Sequence, residues 1–216
     1  MQKFEKIVIT VVIITIFSFL TSFAAEGNIK LSAPDKKGGK PLMTVLSDRK
    51  SGRNYVAGKQ LTQNQLSNLL WAAQGVNRPD GRLTSPTARN WQEIDLYAVM
   101  ESGTYLYNRE KHSLDLKSKE DLRKYAAKQE FAQKAPLILV YVVNYGKMTG
   151  ADEESKKRFS SVDCGFIGQN IYLYCASEGL STVFLGMVDT KGMGRVLKLD
   201  HNFEVLFSQT IGVPAK

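Results

Sequence analysis

Residues 137–145, LILVYVVNY, constrain the fold of this chain more than any other segment. The run follows Pro136, is apolar almost throughout and is rich in β-branched residues. A strand with one face in water alternates apolar and polar residues, whereas a strand covered on both faces is continuously apolar. The segment therefore predicts a central strand in a sheet that helices cover on both sides.

A capping box marks the start of one predicted helix. Thr62 is followed three residues later by Gln65, and apolar residues then recur at helical spacing until Gly75 closes the helix. Residues 94–100 predict a strand, and Gly103 turns the chain toward a second strand. These local signals indicate helices and strands within one domain.

The longest predicted helix covers residues 160–178 and ends at Gly179. Its apolar residues are too widely distributed for one narrow stripe, which predicts burial over much of its circumference and fits the core helix of a dimer. We expect Gln169 and Asn170 to form hydrogen bonds in this crowded interior. The preceding segment, residues 146–158, is rich in Gly, Lys and Glu and is expected to be a mobile loop and a candidate lid.

The first residues have the pattern of a secretory signal. Lys3 and Lys6 precede an apolar stretch over residues 7–20, and Ser22 and Ala24 have the spacing that a signal peptidase accepts. The apolar stretch is shorter than the roughly 20 residues that a membrane span needs. We therefore expect a cleaved signal peptide and an exported protein, periplasmic or secreted. An uncleaved membrane anchor is the alternative.

These boundaries divide the chain into three parts. Residues 1–24 are the expected signal peptide, residues 25–41 an irregular leader, and residues 42–216 one domain. A chain of 216 residues is long enough for one domain with a sizeable core.

The segment DRKSGRNY, residues 48–55, predicts an anion site. Arg49, Ser51 and Arg53 alternate along it, so an extended backbone would point all three side chains to one side, with Lys50 between them. Guanidinium groups and a hydroxyl suit a phosphate, whose oxygens accept charge-assisted hydrogen bonds. The alternative is a solvated basic surface that only precedes a helix.

Composition argues against several other functions. The formal net charge is +8, but the lysines are scattered without a repeating basic and aromatic array, so no nucleic-acid partner is expected. Cys164 and Cys175 would lie roughly 16 Å apart in one helix, too far for a disulfide, and are expected to pack in the core. His112 and His201 lack ligand-spaced neighbours, so no metal site is expected.

Several motifs in order resemble the flavin-dependent nitroreductase family, and most of all its SagB-like, azoline-oxidising dehydrogenase subset. They are DRKSGRNY, LSNLLWAAQG (66–75), SPTARNWQEIDLYAV (85–99), DCGFIGQNIYLYCASEGLSTVFLG (163–186) and TIGVP (210–214). The resemblance extends from about Pro41 to the last residue. It implies an α+β fold with a nitroreductase-like mixed β-sheet flanked by helices. It also implies a homodimer with an active site at each subunit boundary.

The same resemblance implies a set of FMN contacts. In PTARNWQ, Asn90 matches a polar residue that faces the flavin ring, and the backbone of Leu185, Gly186 and Met187 matches a turn beside flavin N5. From the residues alone, the first segment could equally be a loop cap and the second a strand end. The implied cofactor-binding residues are Arg49, Lys50, Ser51, Arg53, Thr87, Ala88, Asn90, Gln92, Leu185, Gly186, Met187 and Lys216.

The activity implied is that of an FMN-dependent oxidoreductase. The flavin would carry the chemistry, by two-electron hydride transfer through N5 and ping-pong kinetics, on a small nitro, quinone or azoline-like molecule, with no catalytic side chain from the protein. The absence of a GxGxxG fingerprint is consistent with NAD(P)H as a donor that binds transiently and not in a Rossmann domain. Because NAD(P)H is scarce outside the cytoplasm, a different donor is the alternative for an exported protein. The alternatives are an exported flavin- or phosphate-ligand-binding protein without turnover, and a structural domain whose long helix only forms a dimer.

Overall fold

The computed structural model describes residues 27–215 and contains a seven-stranded sheet within this range. In chain order the strands are β1 (Ile29–Lys30), β2 (Ile94–Met100), β3 (Gly103–Asn108), β4 (Ser113–Ser118), β5 (Leu137–Asn144), β6 (Ser181–Leu185) and β7 (Phe203–Gly212). The α-helices are α1 (Leu42–Asp48), α2 (Gln63–Gln74), α3 (Arg123–Ala126), α4 (Glu130–Gln133), α5 (Glu153–Glu178) and α6 (Thr190–Val196).

The strand order across the sheet is β1-β4-β3-β2-β5-β7-β6. Every strand pair that the structure describes is antiparallel, so the sheet differs from the mixed sheet that was expected. The predicted central strand is confirmed as β5, which lies between β2 and β7. Its side chains are buried on both faces from Leu137 to Val143.

Helices cover both faces of the sheet. On one face α2 and α5 form a core with the odd-numbered side chains of β5, such as Leu139 and Tyr141. On the other face α3 and α6 pack against even-numbered side chains, such as Val140 and Val142. The arrangement is an α+β fold, as the sequence predicts.

The capping box of α2 is confirmed. Thr62 Oγ1 accepts from the Gln65 N–H at 3.1 Å, and Gln65 Oε1 accepts from the Thr62 N–H at 3.0 Å. The helix ends before Gly75, as expected. These two reciprocal bonds satisfy N–H groups that the first turn of a helix leaves without intrahelical partners.

Helix α5 begins earlier than predicted. Asp152 caps it by accepting from the Ser155 N–H at 2.7 Å, so residues 153–158 are helical and the expected loop over 146–158 is wrong for that part. The helix ends at Gly179, whose φ of 68° is left-handed. Cys164 and Cys175 are both buried and unbridged within it.

One face of α5 is exposed, contrary to the expected burial around most of its circumference. Val162 and Phe166 on this face are 46% and 43% exposed, and helix α1 beside it exposes further apolar side chains. Gln169 is also exposed and Asn170 is half-buried, and neither forms a side-chain hydrogen bond among the described residues. Their expected role in a crowded interior is therefore wrong.

The leader is more ordered than its composition suggests. Two of its residues form β1, which pairs with β4, and Leu31 is buried. The Ser67 hydroxyl donates to Ser32 O at 2.6 Å and lies 2.8 Å from His112 Nε2. The leader is thus held on α2, although most of it lacks regular structure as predicted.

The expected signal peptide, residues 1–24, and Lys216 lie outside the described residues. Between residues 27 and 215, no helix is both long and apolar enough to cross a membrane.

Candidate functional site

The basic segment, residues 49–53, is fixed to the edge of the sheet by its backbone. The Gly52 N–H donates to Thr182 O at 2.8 Å, and the Tyr55 hydroxyl donates to Gly52 O at 3.0 Å. A Cβ on Gly52 would collide with Ser181 Oγ, so only glycine allows the segment to approach β6 this closely. The arginines on either side are therefore presented by a rigid support.

Arg49 and Ser51 meet at Tyr172 on α5. Ser51 Oγ lies 3.0 Å from the Tyr172 hydroxyl, and the Arg49 guanidinium lies 5.3 Å from the centre of the Tyr172 ring. The Phe184 N–H donates to the same hydroxyl at 2.9 Å. Because Tyr172 accepts from Phe184, its own proton can go to Ser51, which leaves the Ser51 proton free for an anion.

Arg53 contacts a different helix from Arg49 and Ser51. Its guanidinium is 5.9 Å from the centre of the Phe131 ring on α4. Just before α4, the Lys128 N–H donates to Met187 O at 3.0 Å. Residues 128–131 therefore connect Arg53 with the turn after β6.

The turn itself is open. A Cβ placed on Gly186 would meet nothing within 4 Å, and Met187 is exposed. Leu185 is buried in the core, so only its backbone can face a ligand. An aromatic ring could approach this turn without meeting side chains.

Lys50 is exposed. It lines a cleft of about 490 Å³ together with Lys40, Asp48 and Tyr172. Lys40 and Asp48 form an ion pair at 3.0 Å within this cleft. The cleft adjoins Arg49 and Ser51 through Tyr172, and Lys50 adds positive charge to it.

The 86–92 loop is strained. Arg89, Asn90 and Gln92 have φ values of 51°, 55° and 51°, in the left-handed region that residues other than glycine rarely adopt. Such strain persists only when surrounding contacts hold it, and it concentrates at functional sites.

Hydrogen bonds hold the 86–92 loop in this shape. The Gln92 N–H donates to Thr87 Oγ1 at 3.1 Å, and Gln92 Nε2 donates to Asn90 Oδ1 at 3.2 Å. The Ala88 N–H donates to Asp163 Oδ2 on α5 at 3.0 Å. Asn90 remains exposed, so its amide can still reach a ligand.

Within one chain, the structure does not bring the predicted phosphate contacts of the basic segment together with the predicted flavin contacts of the 86–92 loop. The basic segment contacts α5 at Tyr172, whereas the 86–92 loop contacts it at Asp163, nine residues earlier. That separation is about 13 Å along the helix and about 180° around it. The two sets therefore lie on opposite flanks of α5, and the exposed face with Val162 and Phe166 lies between them.

Two buried carboxyl groups lie beneath the 86–92 loop. Glu93 is 0% exposed and Asp163 is 1% exposed. Burial raises the pKa of Glu93 to about 7, and the charge of Asp163 contributes to this shift. Burial also raises the pKa of Asp163, against the lowering effect of its bond from Ala88.

Sequence reasoning missed Tyr172, Phe131, Glu93 and Asp163. The contact between Ser51 and Tyr172 joins residues 121 positions apart, and nothing local to either residue indicates it. The one sequence signal that could have indicated any of these residues is an acidic residue directly before a buried strand, and among the four only Glu93 has it.

Fold and site together define an α+β protein with a basic segment at a sheet edge and a strained polar loop. The family model described as "Nitroreductase family" matches residues 46–213. The chain belongs to this family. Membership supports a general oxidoreductase of the flavin type.

Individual relatives agree with this assignment. A nitroreductase homologue from Methanocaldococcus jannaschii is 33% identical over 168 residues, which are 73% of this chain and 84% of the relative. The crystal structure of a nitroreductase homologue from Ralstonia eutropha is 39% identical, with a TM-score of 0.83 over 88% of this chain and 90% of the other.

A more distant structure shares the fold alone. The NADPH:FMN oxidoreductase from Vibrio harveyi, solved in complex with NAD+, is 21% identical with a TM-score of 0.61. The match covers 81% of this chain and 69% of that chain.

Proposed function

We propose that this protein is an FMN-dependent oxidoreductase that acts on a small nitro, quinone or azoline-like molecule. The observation that carries the proposal is the convergence of Arg49 and Ser51 on Tyr172, beside a backbone that Gly52 fixes to β6. This arrangement suits a terminal phosphate, since the Arg49 guanidinium and the Ser51 hydroxyl proton are free to donate, and Arg53 lies two residues further along the same segment.

Each part of the site has a separate task. Arg49, Ser51 and Arg53 would bind the phosphate, with Lys50 adding positive charge. The open turn at Gly186 would accept one edge of the ring. FMN, when bound, supplies two-electron hydride transfer at N5, alternating between a donor and an acceptor.

We propose a homodimer in which the 86–92 loop of one copy completes the site of the other. An isologous contact through the exposed face of α5 would run the two helices antiparallel. If the two-fold axis crosses near residues 167 and 168, Asp163 of one copy lies level with Tyr172 of the other. Thr87, Ala88, Asn90 and Gln92 would then approach the basic segment from the second chain.

The electron donor and the direction of the reaction are further parts of the proposal. A nicotinamide is a reasonable transient donor, because the Vibrio harveyi neighbour was solved with NAD+. The order of motifs favours the SagB-like, azoline-oxidising subset, in which the substrate is oxidised.

We also propose that the mature chain is exported, with residues 1–24 removed, and that Lys216 adds charge near the phosphate. Its neighbour Ala215 donates to Asn54 O at 3.3 Å, beside the basic segment.

The phosphate contact can be tested by titrating flavin-free protein with FMN and with riboflavin, which lacks the phosphate. Arg49→Ala and Arg53→Ala should each weaken FMN binding by about tenfold or more, since a hydrogen bond to a charged group contributes roughly 1.5–3 kcal/mol. Riboflavin binding should change much less. Lys59→Ala removes an exposed lysine from the following turn and should leave both affinities unchanged.

The proposal is wrong if both arginine variants bind FMN as tightly as the parent. It is also wrong if the variants lose FMN and riboflavin equally, because the arginines would then not contact the phosphate.

A further inference from the structure

Glu93 is buried without a hydrogen-bond partner. It connects the 86–92 loop to β2, has no exposed surface, and neither carboxyl oxygen accepts a hydrogen bond from the described residues. A buried polar group without a partner is costly, and an isolated buried carboxylate is far more so. The neighbouring group is Asp163, another buried carboxyl.

The positive charges nearby are committed elsewhere. Lys147 Nζ binds Asp95 Oδ1 at 2.9 Å and Gln92 O at 3.2 Å. Arg109 Nη2 binds the same Asp95 oxygen at 3.0 Å. Within residues 27–215, no ion pair is formed by Glu93 or by Asp163.

Lys147 still lowers the pKa of Glu93 through its charge, although burial has the larger effect, and the remaining groups around the pair add no positive charge. Cys164 on α5 is a buried thiol whose pKa is raised by burial and by both carboxyl groups, so it stays neutral. His201 is exposed. Its neighbour Asn202 accepts a hydrogen bond from the Tyr145 N–H, two residues before Lys147. Two adjacent buried carboxylates that form no ion pair repel each other strongly, and one proton between them removes that repulsion.

Geometry decides which group holds the proton. Asp163 Oδ2 already accepts from the Ala88 N–H, which stabilises the ionised form of Asp163. Neither oxygen of Glu93 accepts a hydrogen bond from the described residues, so a proton placed on Glu93 and donated to Asp163 is the arrangement that this geometry favours. That proton gives one of the two Glu93 oxygens a partner, and the other becomes the carbonyl oxygen of a neutral acid, which costs less to bury than a carboxylate.

We propose that Glu93 and Asp163 share one proton, and that this proton is what positions the 86–92 loop. Asp163 is the side chain of α5 that holds the loop backbone, through Ala88. When the shared proton is lost, repulsion displaces Asp163 from Glu93 and loosens that anchor. The strained residues Arg89 and Asn90 then relax. The effect of the loop on flavin binding rests on the proposed function, whereas the effect of the shared proton on the position of the loop does not.

The direction of the pH dependence follows from the raised pKa of Glu93. The folded-state pKa is about 7, and the unfolded value is that of an ordinary glutamate. The stabilisation is therefore fully present below about pH 4.3, the unfolded value, and is lost as pH rises through the folded value. The loop should be ordered at mildly acid pH and loosened above about pH 7.

Trp91 lies within the 86–92 loop, two residues before Glu93, and its fluorescence reports on the loop without any flavin. Trp71 is the other tryptophan, so flavin-free Trp71→Phe protein leaves Trp91 as the sole emitter. Its emission should change in one step with a midpoint near pH 7. In the same background, Glu93→Gln keeps a donor toward Asp163 but cannot titrate, and the step should disappear. His201→Asn is the matched control and should keep the step.

Asp163→Asn provides a second test. The amide removes the neighbouring charge and offers Glu93 a donor, so the midpoint should move at least about one pH unit lower. The proposal is overturned if the step is absent from the parent, if Glu93→Gln retains it, or if His201→Asn abolishes it. If Glu93→Gln does not fold, an unmoved midpoint in Asp163→Asn overturns it equally.

FMN affinity measured across the same pH range separates this inference from the proposed function. The parent should bind FMN severalfold more weakly above the midpoint, and Glu93→Gln should not. A Trp91 step without any FMN effect would support the shared proton and overturn the placement of flavin contacts in this loop.

Discussion

A single hydroxyl group connects three parts of the proposed flavin site. Tyr172 accepts from the backbone of β6 through Phe184 and lies within hydrogen-bonding distance of Ser51. Its ring lies below the Arg49 guanidinium. The proposed phosphate site therefore depends on a residue of α5 and not only on the basic segment that the sequence highlights.

We expect Tyr172→Phe to weaken FMN binding about threefold to tenfold, because a neutral hydrogen bond contributes roughly 0.5–1.5 kcal/mol and the ring stacking is kept. A fluorescence titration of flavin-free protein measures this. Tyr174→Phe is the control on the same helix, where the hydroxyl donates to Gln65 O, away from the basic segment. Equal effects of the two variants would contradict a specific role for Tyr172.

Glycine 168 allows α5 to lie close to the sheet. A Cβ at Gly168 would come within 2.9 Å of the Phe184 ring and 3.4 Å of Gln209 Oε1. We expect Gly168→Ala to lower the free energy of unfolding by about 1–3 kcal/mol, as overpacking of a core does. Urea denaturation measures the change.

Gly194→Ala is the matched control, because a Cβ at this helical glycine would meet nothing within 4 Å. It should leave the protein as stable or about 0.5–1 kcal/mol more stable, from helix propensity alone. A Gly168→Ala protein as stable as this control would show that the packing at Phe184 is not tight.

At the scale of elements, local signals were sufficient for α2, β2 and β5. A capping box and a continuous apolar run each act over a few neighbouring residues, so the sequence alone could place them. The start of α5 was misjudged because Gly and Lys around residue 150 suggested a loop. The N-cap Asp152 and the acidic first turn at Glu153 and Glu154 were the signals that outweighed this composition.

The exposed face of α5 could not be recognised from sequence. A hydrophobic pattern records which residues are apolar, but it does not distinguish those in the core from those on an exposed face. For this reason the sequence predicted burial over most of the circumference of α5. The half-buried Tyr172 and the buried Asp163 border this face on either side.

We expect Phe166→Glu to shift the protein from dimer to monomer, because it places a charge in the centre of the proposed contact. Sedimentation velocity measures the oligomeric state. FMN affinity should fall in parallel, since each site would lose the second copy's loop. Lys119→Glu, an acidic substitution at an exposed turn, should leave both properties unchanged. A Phe166→Glu dimer with normal FMN binding would contradict the proposed interface.

At the scale of the whole molecule, the sequence indicated both halves of the site but not their separation. Arg49, Ser51 and Arg53 are indicated by their chemistry and alternation. Resemblance to the family added the 86–92 loop and the turn at Gly186. That the loop and the basic segment lie on opposite flanks of α5 depends on where long-range contacts meet one helix, which no local pattern encodes.

The most direct test of the central claim is the visible absorbance spectrum of the purified protein without residues 1–24, recorded anaerobically before and after a reduced nicotinamide and then a quinone are added. Our account predicts a yellow protein whose flavin absorbance is lost with the donor, returns with the quinone, and is released as FMN on heat denaturation. A colourless protein that FMN cannot reconstitute would contradict the flavin site. The oxidoreductase activity would be contradicted by a bound flavin that does not pass through reduction and reoxidation, either with the nicotinamide and the quinone or with dithionite and the quinone.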